Sequence, residues 1–283
     1  MDLDKIRKLT ITALFSDDAL FDQLVLKGGN ALSLVYGISS RTSLDLDFSI
    51  EEDFHDIEET KARIYKALRD RFSSVGLVVF DETFDARPGR PRADQDDRCG
   101  GYYLVFKLIE ANKHAAMRGN VDALRRQALI VGPDQQRKFS VDISKFEYCA
   151  GKIKTELDNY TIHVYTPAML AVEKLRAICQ QMPEYKLIGN PRPRARDFYD
   201  IHLIGTQAGV ELNSSGCLDL IPAIFIAKDV PLRLISQIPN QREFHRPDWP
   251  AVQASVLGKL DEFDYYFDFV VRQTSSLKIP WEK

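Results

Sequence analysis

Apolar residues recur at helical spacing through residues 2–36, at Ile6, Leu9, Ala13 and Leu14 and again at Leu20, Leu24 and Val25, which predicts helix there. The Gly28-Gly29 pair interrupts that pattern, so a glycine turn opens a short helix over ALSLVYG. The period then changes. From Ser43 to Ile50 the chain alternates strictly, with Leu44, Leu46, Phe48 and Ile50 on one face and Ser43, Asp45, Asp47 and Ser49 on the other. That alternation predicts a half-buried strand. A charged amphipathic helix is expected near residues 56–72, and further strands at 76–80, 102–110, 139–146 and 160–165.

After Tyr165 the texture becomes helical. Thr166-Pro167 supplies a cap and a first-turn proline for a helix through Leu170, Lys174 and Ile178. A loop over residues 183–196 leads to a helix opening at Arg196-Asp197, and the aromatic run from Phe263 to Phe269 predicts a packed terminal helix. The expected class is α+β, with a mixed domain over residues 1–165 and a helical domain over 166–283 that completes a cleft with the first.

Two carboxylates at i and i+2 on a strand share one side, the kind of oxygen pair that a hard cation such as Mg²⁺ accepts. Asp45 and Asp47 have that spacing, and Asp142, between Val141 and Ile143, could complete the set from a neighbouring strand. Each feature also has a plain reading. Aspartates on an alternating strand can be a solvated edge, and glycine pairs commonly serve turns. The combination is more pointed: Gly28 and Gly29 let backbone amides approach a phosphate at a helix start, Lys27 adds a charge, and the aspartates follow closely.

Lys174 lies among Leu170, Ala171, Leu175 and Ile178, so it is either a snorkelling edge lysine or a phosphate contact. Asp197 and Asp200 suit a helix start in any protein, although Asp197 could also orient Lys174 or take a proton. Lys186, Arg192, Arg194 and Arg196 form one cationic cluster and Arg87, Arg90 and Arg92 another. Either is solvated surface or a row of phosphate contacts. Tyr102, Tyr103 and Tyr199 belong in the core unless they stack a base. The net charge of −3 and pI near 6.0 provide no global basic field, so any polyanion must be met locally. The four cysteines lack zinc spacing, and the histidines show no paired spacing. Neither a signal peptide nor an apolar run of membrane-spanning length is present, which predicts a cytoplasmic protein without a membrane partner.

Lys27-Gly28-Gly29-Asn30-Ala31-Leu32, followed by Arg41-Thr42-Ser43-Leu44-Asp45-Leu46-Asp47-Phe48, resembles the opening motif of the AbiEii/AbiGii-type nucleotidyltransferase toxins. The resemblance continues at Val141-Asp142-Ile143, Glu173-Lys174-Leu175 and Arg196-Asp197-Phe198-Tyr199-Asp200-Ile201, and spans roughly residues 25–205. It implies a polymerase-β-like nucleotidyltransferase fold, with Asp45 and Asp47 as metal ligands and Gly28 and Gly29 as the phosphate turn. It further implies that Lys174 is a triphosphate contact and Asp197 an active-site acid.

Lys27, Asn30, Arg41 and Ser43 join the expected nucleotide-binding set, and Asp142 the catalytic and metal set. Asn30 stands where the family usually has Thr or Ser; its amide can still donate to phosphate. The implied reaction moves a nucleoside monophosphate from a nucleoside triphosphate to an acceptor hydroxyl, with Mg²⁺ or Mn²⁺. A tRNA 3′ end, another RNA or a protein is the expected acceptor, and a cognate antitoxin the expected partner. The alternatives are a non-catalytic nucleotide- or RNA-binding regulator and a metal-dependent phosphodiesterase.

Overall fold

A computed structural model describes residues 2–38, 45–89, 100–117, 119–132, 134–256 and 258–277. Helices α1 (Leu3–Leu14) and α2 (Asp18–Gln23) precede strand β1 (Val25–Lys27). Helix α3 (Gly28–Asn30) then runs into a π-helical turn, Ala31–Val35. Strand β2 (Leu46–Ser49), helix α4 (Ile57–Ser73) and strands β3 (Leu77–Arg87) and β4 (Gly101–Glu110) follow. After α5 (Ala111–Ala116) and α6 (Val121–Gln127) come β5 (Phe139–Ser144), β6 (Ile153–Leu157) and β7 (Tyr160–Val164). The rest is helical: α7 (Pro167–Cys179), α8 (Ala195–Gln207), α9 (Ser215–Ile226), a 3₁₀ stretch at Leu232–Gln241, α10 (Arg242–His245), α11 (Trp249–Ser255) and α12 (Phe263–Ser275).

Among the described residues seven strands make one mixed sheet in the order β3-β4-β5-β2-β1-β7-β6. The α+β class expected from the patterning is therefore what the chain adopts, and mixed structure gives way to helix between Val164 and Pro167. Strand β2 owes its place to its alternation: Leu46, Phe48 and Ile50 are buried, which turns Asp47 to the opposite face. Thr166 accepts from the Met169 amide at 3.2 Å and caps α7 as its sequence predicts. On α12, Phe263, Tyr266 and Phe267 are buried, and Phe267 stacks on Phe198 with centroids 5.0 Å apart.

One prediction fails. Residues 25–27 are a strand and do not continue the helix, because Val25, Leu26 and Lys27 pair antiparallel with β2 while Leu26 also pairs with β7. A fully buried run of three apolar-rich residues carries no period that separates strand from helix. Strand β6 and helices α5 and α6 carried no signal strong enough to predict.

Candidate active site

Three central strands set the site. Asp47 on β2 stands opposite Lys27 on β1 and also opposite Asp142 on β5. Paired residues point to the same face of a sheet, so lysine and two aspartates form one polar row at its centre. Gly28 follows directly, with φ +72, and a Cβ there would lie 2.3 Å from Asp47 Oδ2. Both the left-handed backbone and the close carboxylate demand glycine.

Asn30 is fully buried and donates its amide to the Asp45 carbonyl at 2.6 Å. It thereby pins the start of β2 to the glycine turn. The Asp45 carboxylate accepts from the Ser140 hydroxyl. Arg41 and Ser43, with Arg90, Arg92 and Cys99, lie outside the described residues.

The helical half supplies the opposite wall. Lys174 on α7 donates to Asp200 Oδ2 at 2.6 Å and reaches Asp197 Oδ1 at 3.4 Å. Arg194 forms an ion pair with Asp197. Between the walls lies a cleft of about 270 Å³, into which the glycine turn, Asp45, Asp47, Asp142, Glu173, Lys174, Arg194, Arg196 and Asp197 all face. A second cavity of about 540 Å³ adjoins it, shares Lys27, Asp142, Ser144, Glu173 and Arg194, and adds walls from Arg87, Pro88, Leu187 and Ile188.

Electrostatics divide these acids. Burial raises the Asp47 pKa to about 6, with Asp142 and Glu173 adding to the rise against Lys27 and Arg196. Burial also raises Asp142, and Asp45 and Glu147 add to it while Lys27 and Arg87 oppose it. Asp197 goes the other way: burial alone would raise it, but Arg194, Lys174 and Arg196 hold it well below the usual carboxylate range. Asp197 is ion-paired to both Lys174 and Arg194 and so ties these two cations together.

Lys27 does not point a lone charge at the cleft. Its ammonium is buried and reaches Glu147 at 3.2 Å and Glu173 at 3.5 Å. Glu147 is also gripped by Arg176 at 2.7 Å and approached by Lys228 at 3.7 Å. Burial raises the Glu147 pKa, but Arg176, Lys27 and Lys228 together pull it far below the ordinary range. The cluster joins β1, the turn after β5, α7 and the end of α9, and so fixes the helical half to the sheet behind the site.

Sequence reasoning overlooked Glu147 and Arg176, which sit in a turn and on an apolar helix without any motif of their own. Tyr102 and Tyr199 are core residues, with Tyr102 stacked on Phe84 at 5.0 Å, and the Arg87 guanidinium covers the Tyr103 ring at 3.3 Å. Cys149, Cys179 and Cys217 are buried thiols.

The residues expected to hold a metal can be tested for fit. Among the described residues no group of three or more His, Cys, Asp or Glu side chains forms a ready metal site. Asp45 faces the cleft, and its carboxylate accepts from the Ser140 hydroxyl. Asp47 and Asp142, in register on neighbouring strands and both raised by burial, are nevertheless the donor pair that a hard cation would neutralise. The pair fits such an ion, and Asp45 is the further carboxylate that faces the same cleft.

The sequence profile of the nucleotidyl transferase AbiEii toxin family, of type IV toxin–antitoxin systems, matches residues 11–272. No curated protein sequence matches the chain. Among solved structures, JHP933 from Helicobacter pylori is similar with a TM-score of 0.51 at 15% identity, over 96% of this chain and 88% of that one. A candidate nucleotidyltransferase from H. pylori gives 0.48 at 14% identity, over 96% and 92% of the two chains. An antigenic nucleotidyltransferase-like protein from Paracoccidioides brasiliensis gives 0.39 at 15%, over 91% and 94%. At such identities the likeness to JHP933 concerns the fold. Among the described residues no helix is long and apolar enough to cross a membrane.

Proposed function

The chain belongs to the AbiEii nucleotidyltransferase toxin family of type IV toxin–antitoxin systems, and from that premise we propose that its cleft moves a nucleoside monophosphate from a nucleoside triphosphate to an acceptor hydroxyl. The observation that carries this reading is the division of the cleft. Paired carboxylates and a glycine turn stand on the sheet side, and Lys174, Arg194 and Arg196 stand on the helical side. A triphosphate needs both: cations for its oxygens, and acids where the reaction occurs.

In this reading residues 1–165 and 166–283 are two domains that close on the substrate. The outer phosphates lie against the Gly28-Gly29 amides and Lys174. The nucleoside extends into the adjoining cavity of about 540 Å³, a volume within the range of small-molecule sites. Asp47 and Asp142, joined by Asp45, would hold Mg²⁺ or Mn²⁺. Such an ion supplies charge neutralisation on the phosphates and polarisation of the reacting oxygens.

The acceptor oxygen forms a bond to the α-phosphorus as the bond from that phosphorus to the bridging oxygen breaks, and pyrophosphate leaves. The proton of the acceptor hydroxyl passes to a carboxylate of the Asp47–Asp142 pair. Asp197 keeps Lys174 and Arg194 aimed into the cleft. Asn30 serves by holding Asp45 in place.

The reaction draws on a cytoplasmic nucleotide pool, and a cognate antitoxin is the expected partner. The test is incubation of the protein with Mg²⁺, each α-labelled ribonucleoside triphosphate and total RNA or protein, beside an Asp45→Ala/Asp47→Ala variant. Label on one class of macromolecule, lost in the variant, is the expected result. Transfer retained by the folded variant, or no transfer from any of the four triphosphates, would overturn the proposal.

A further inference from the structure

The segment Pro191-Arg192-Pro193-Arg194-Ala195-Arg196 sets three arginines at alternate positions, and its two prolines restrict the backbone and remove two amide donors. Three remaining amides are taken up by side chains from elsewhere. Arg192 N–H donates to Gln181 Oε1 at 2.8 Å, Arg194 N–H to His245 Nδ1 at 3.0 Å and Ala195 N–H to Asp248 Oδ2 at 3.0 Å. Gln181 and His245 are themselves buried. A surface loop that merely solvates its charges has no need of three such clamps, whereas a loop that must present its side chains at fixed positions does.

What it presents is cationic. Arg192 and Arg196 are exposed, and among the described residues neither guanidinium has an ion pair or a side-chain hydrogen bond, whereas Arg194 is bound to Asp197. The three arginines form one wall of a groove of about 550 Å³, and Ala251, Val252 and Ser255 of α11 form the other. Asp248 is the acid in the groove lining, and its carboxylate is turned to the Ala195 amide. Arg194 and Arg196 also line the catalytic cleft. The groove therefore borders the cleft where Asp47 and Asp142 stand, with these two arginines common to both.

We infer that this groove binds the phosphodiester backbone of a single-stranded nucleic-acid acceptor and delivers its terminal hydroxyl to the cleft. The inference rests on the transferase reading for the identity of that cleft. Cations spaced along a groove match phosphates repeated along a strand, and small side chains on the facing wall leave room for sugars and bases. A lone triphosphate is already met by the glycine turn and Lys174, and would leave Arg192 without a partner.

Binding, measured without turnover, tests the groove separately from the chemistry. Fluorescence anisotropy of a mixed-sequence oligoribonucleotide and its deoxy counterpart would be followed between 50 and 200 mM salt, with Arg192→Ala and Ala251→Glu beside the unaltered protein. Each phosphate contact on a single strand contributes about 0.7 to the slope of log affinity against log salt, equivalent to roughly fivefold at 0.1 M. Arg192→Ala is expected to weaken binding by about that factor and to flatten the slope by about 0.7. Ala251→Glu, which puts a carboxylate on the facing wall, should weaken it at least as much. Either sugar supports the groove, and the tighter one names the acceptor. Unchanged affinity and slope in both variants would overturn the inference, as would an equal loss of triphosphate affinity, which would assign the arginines to the nucleotide. Transfer of label to a protein would overturn it too, while leaving the transferase reading intact. Absence of transfer with groove-dependent binding would do the reverse.

Discussion

Replacing Gly28 by alanine makes the sharpest demand on the site's geometry. The new Cβ would meet Asp47 Oδ2 at 2.3 Å and Cγ at 2.9 Å, and the backbone would keep φ at +72. Ordinary carbon contacts begin near about 3.5 Å, so the carboxylate has to retreat by about 1 Å. A displacement of about 1 Å at reacting groups lowers rates on the order of 10²-fold. The left-handed backbone separately costs roughly 1–2 kcal/mol. In a chain of this size that lowers the melting temperature by roughly 2–8 °C.

The two effects can be separated with Gly76, which has φ +75 but nothing within 4 Å of an added Cβ. Gly76→Ala carries the backbone penalty alone. Thermal melts and initial rates of nucleotidyl transfer should show Gly28→Ala destabilised at least as much as Gly76→Ala, and Gly28→Ala alone about 10²-fold slower. If Gly28→Ala is folded and transfers at the rate of Gly76→Ala, the packing of the turn on Asp47 does not position the chemistry.

Two further outcomes concern stability. Glu147→Gln leaves Lys27, Arg176 and Lys228 buried without their shared carboxylate, and urea unfolding should report a loss of about 3–5 kcal/mol; a change below about 1 kcal/mol would deny the cluster its structural role. His245 is fully buried, and burial lowers its pKa from 6.5 to about 4. The unfolded chain therefore binds the proton first, so this residue's contribution is complete above pH 6.5 and is lost as pH falls towards about 4, amounting to roughly 3 kcal/mol. His245→Asn, which retains an acceptor for the Arg194 amide, should unfold with a flatter pH dependence across that window. Parallel curves for the two proteins would refute the assignment.

The polar row at the centre of the sheet was readable where local pattern and tertiary position agree. Leu46, Phe48 and Ile50 had to face the core, and that necessity alone directed Asp47 outward. Asp142 was legible from its apolar neighbours together with the motif around it. Lys27 was placed at the right turn but on the wrong element, since three buried residues between two strands have no period to read. Glu147 was invisible for a different reason. It lies in an irregular turn where Phe146 has φ +57, and its partners stand 120 positions before it and 29 after it. The alternate arginines were visible as charge, but the clamps that hold them come from Gln181, His245 and Asp248, and no spacing links those residues to the loop.

Strand β5 lies between β4 and β2 in the sheet, although it follows both in the chain. During synthesis the pairs β1–β2 and β3–β4 emerge before the strand that joins them in the sheet, and the slot between β2 and β4 is filled only when residues 139–144 arrive. Asp142 arrives with that strand, and Lys174 and Asp197 arrive later still. A nascent chain, or one cut short before α8, thus has no assembled cleft. The order of the strands leaves the cleft incomplete until most of the polypeptide has left the ribosome.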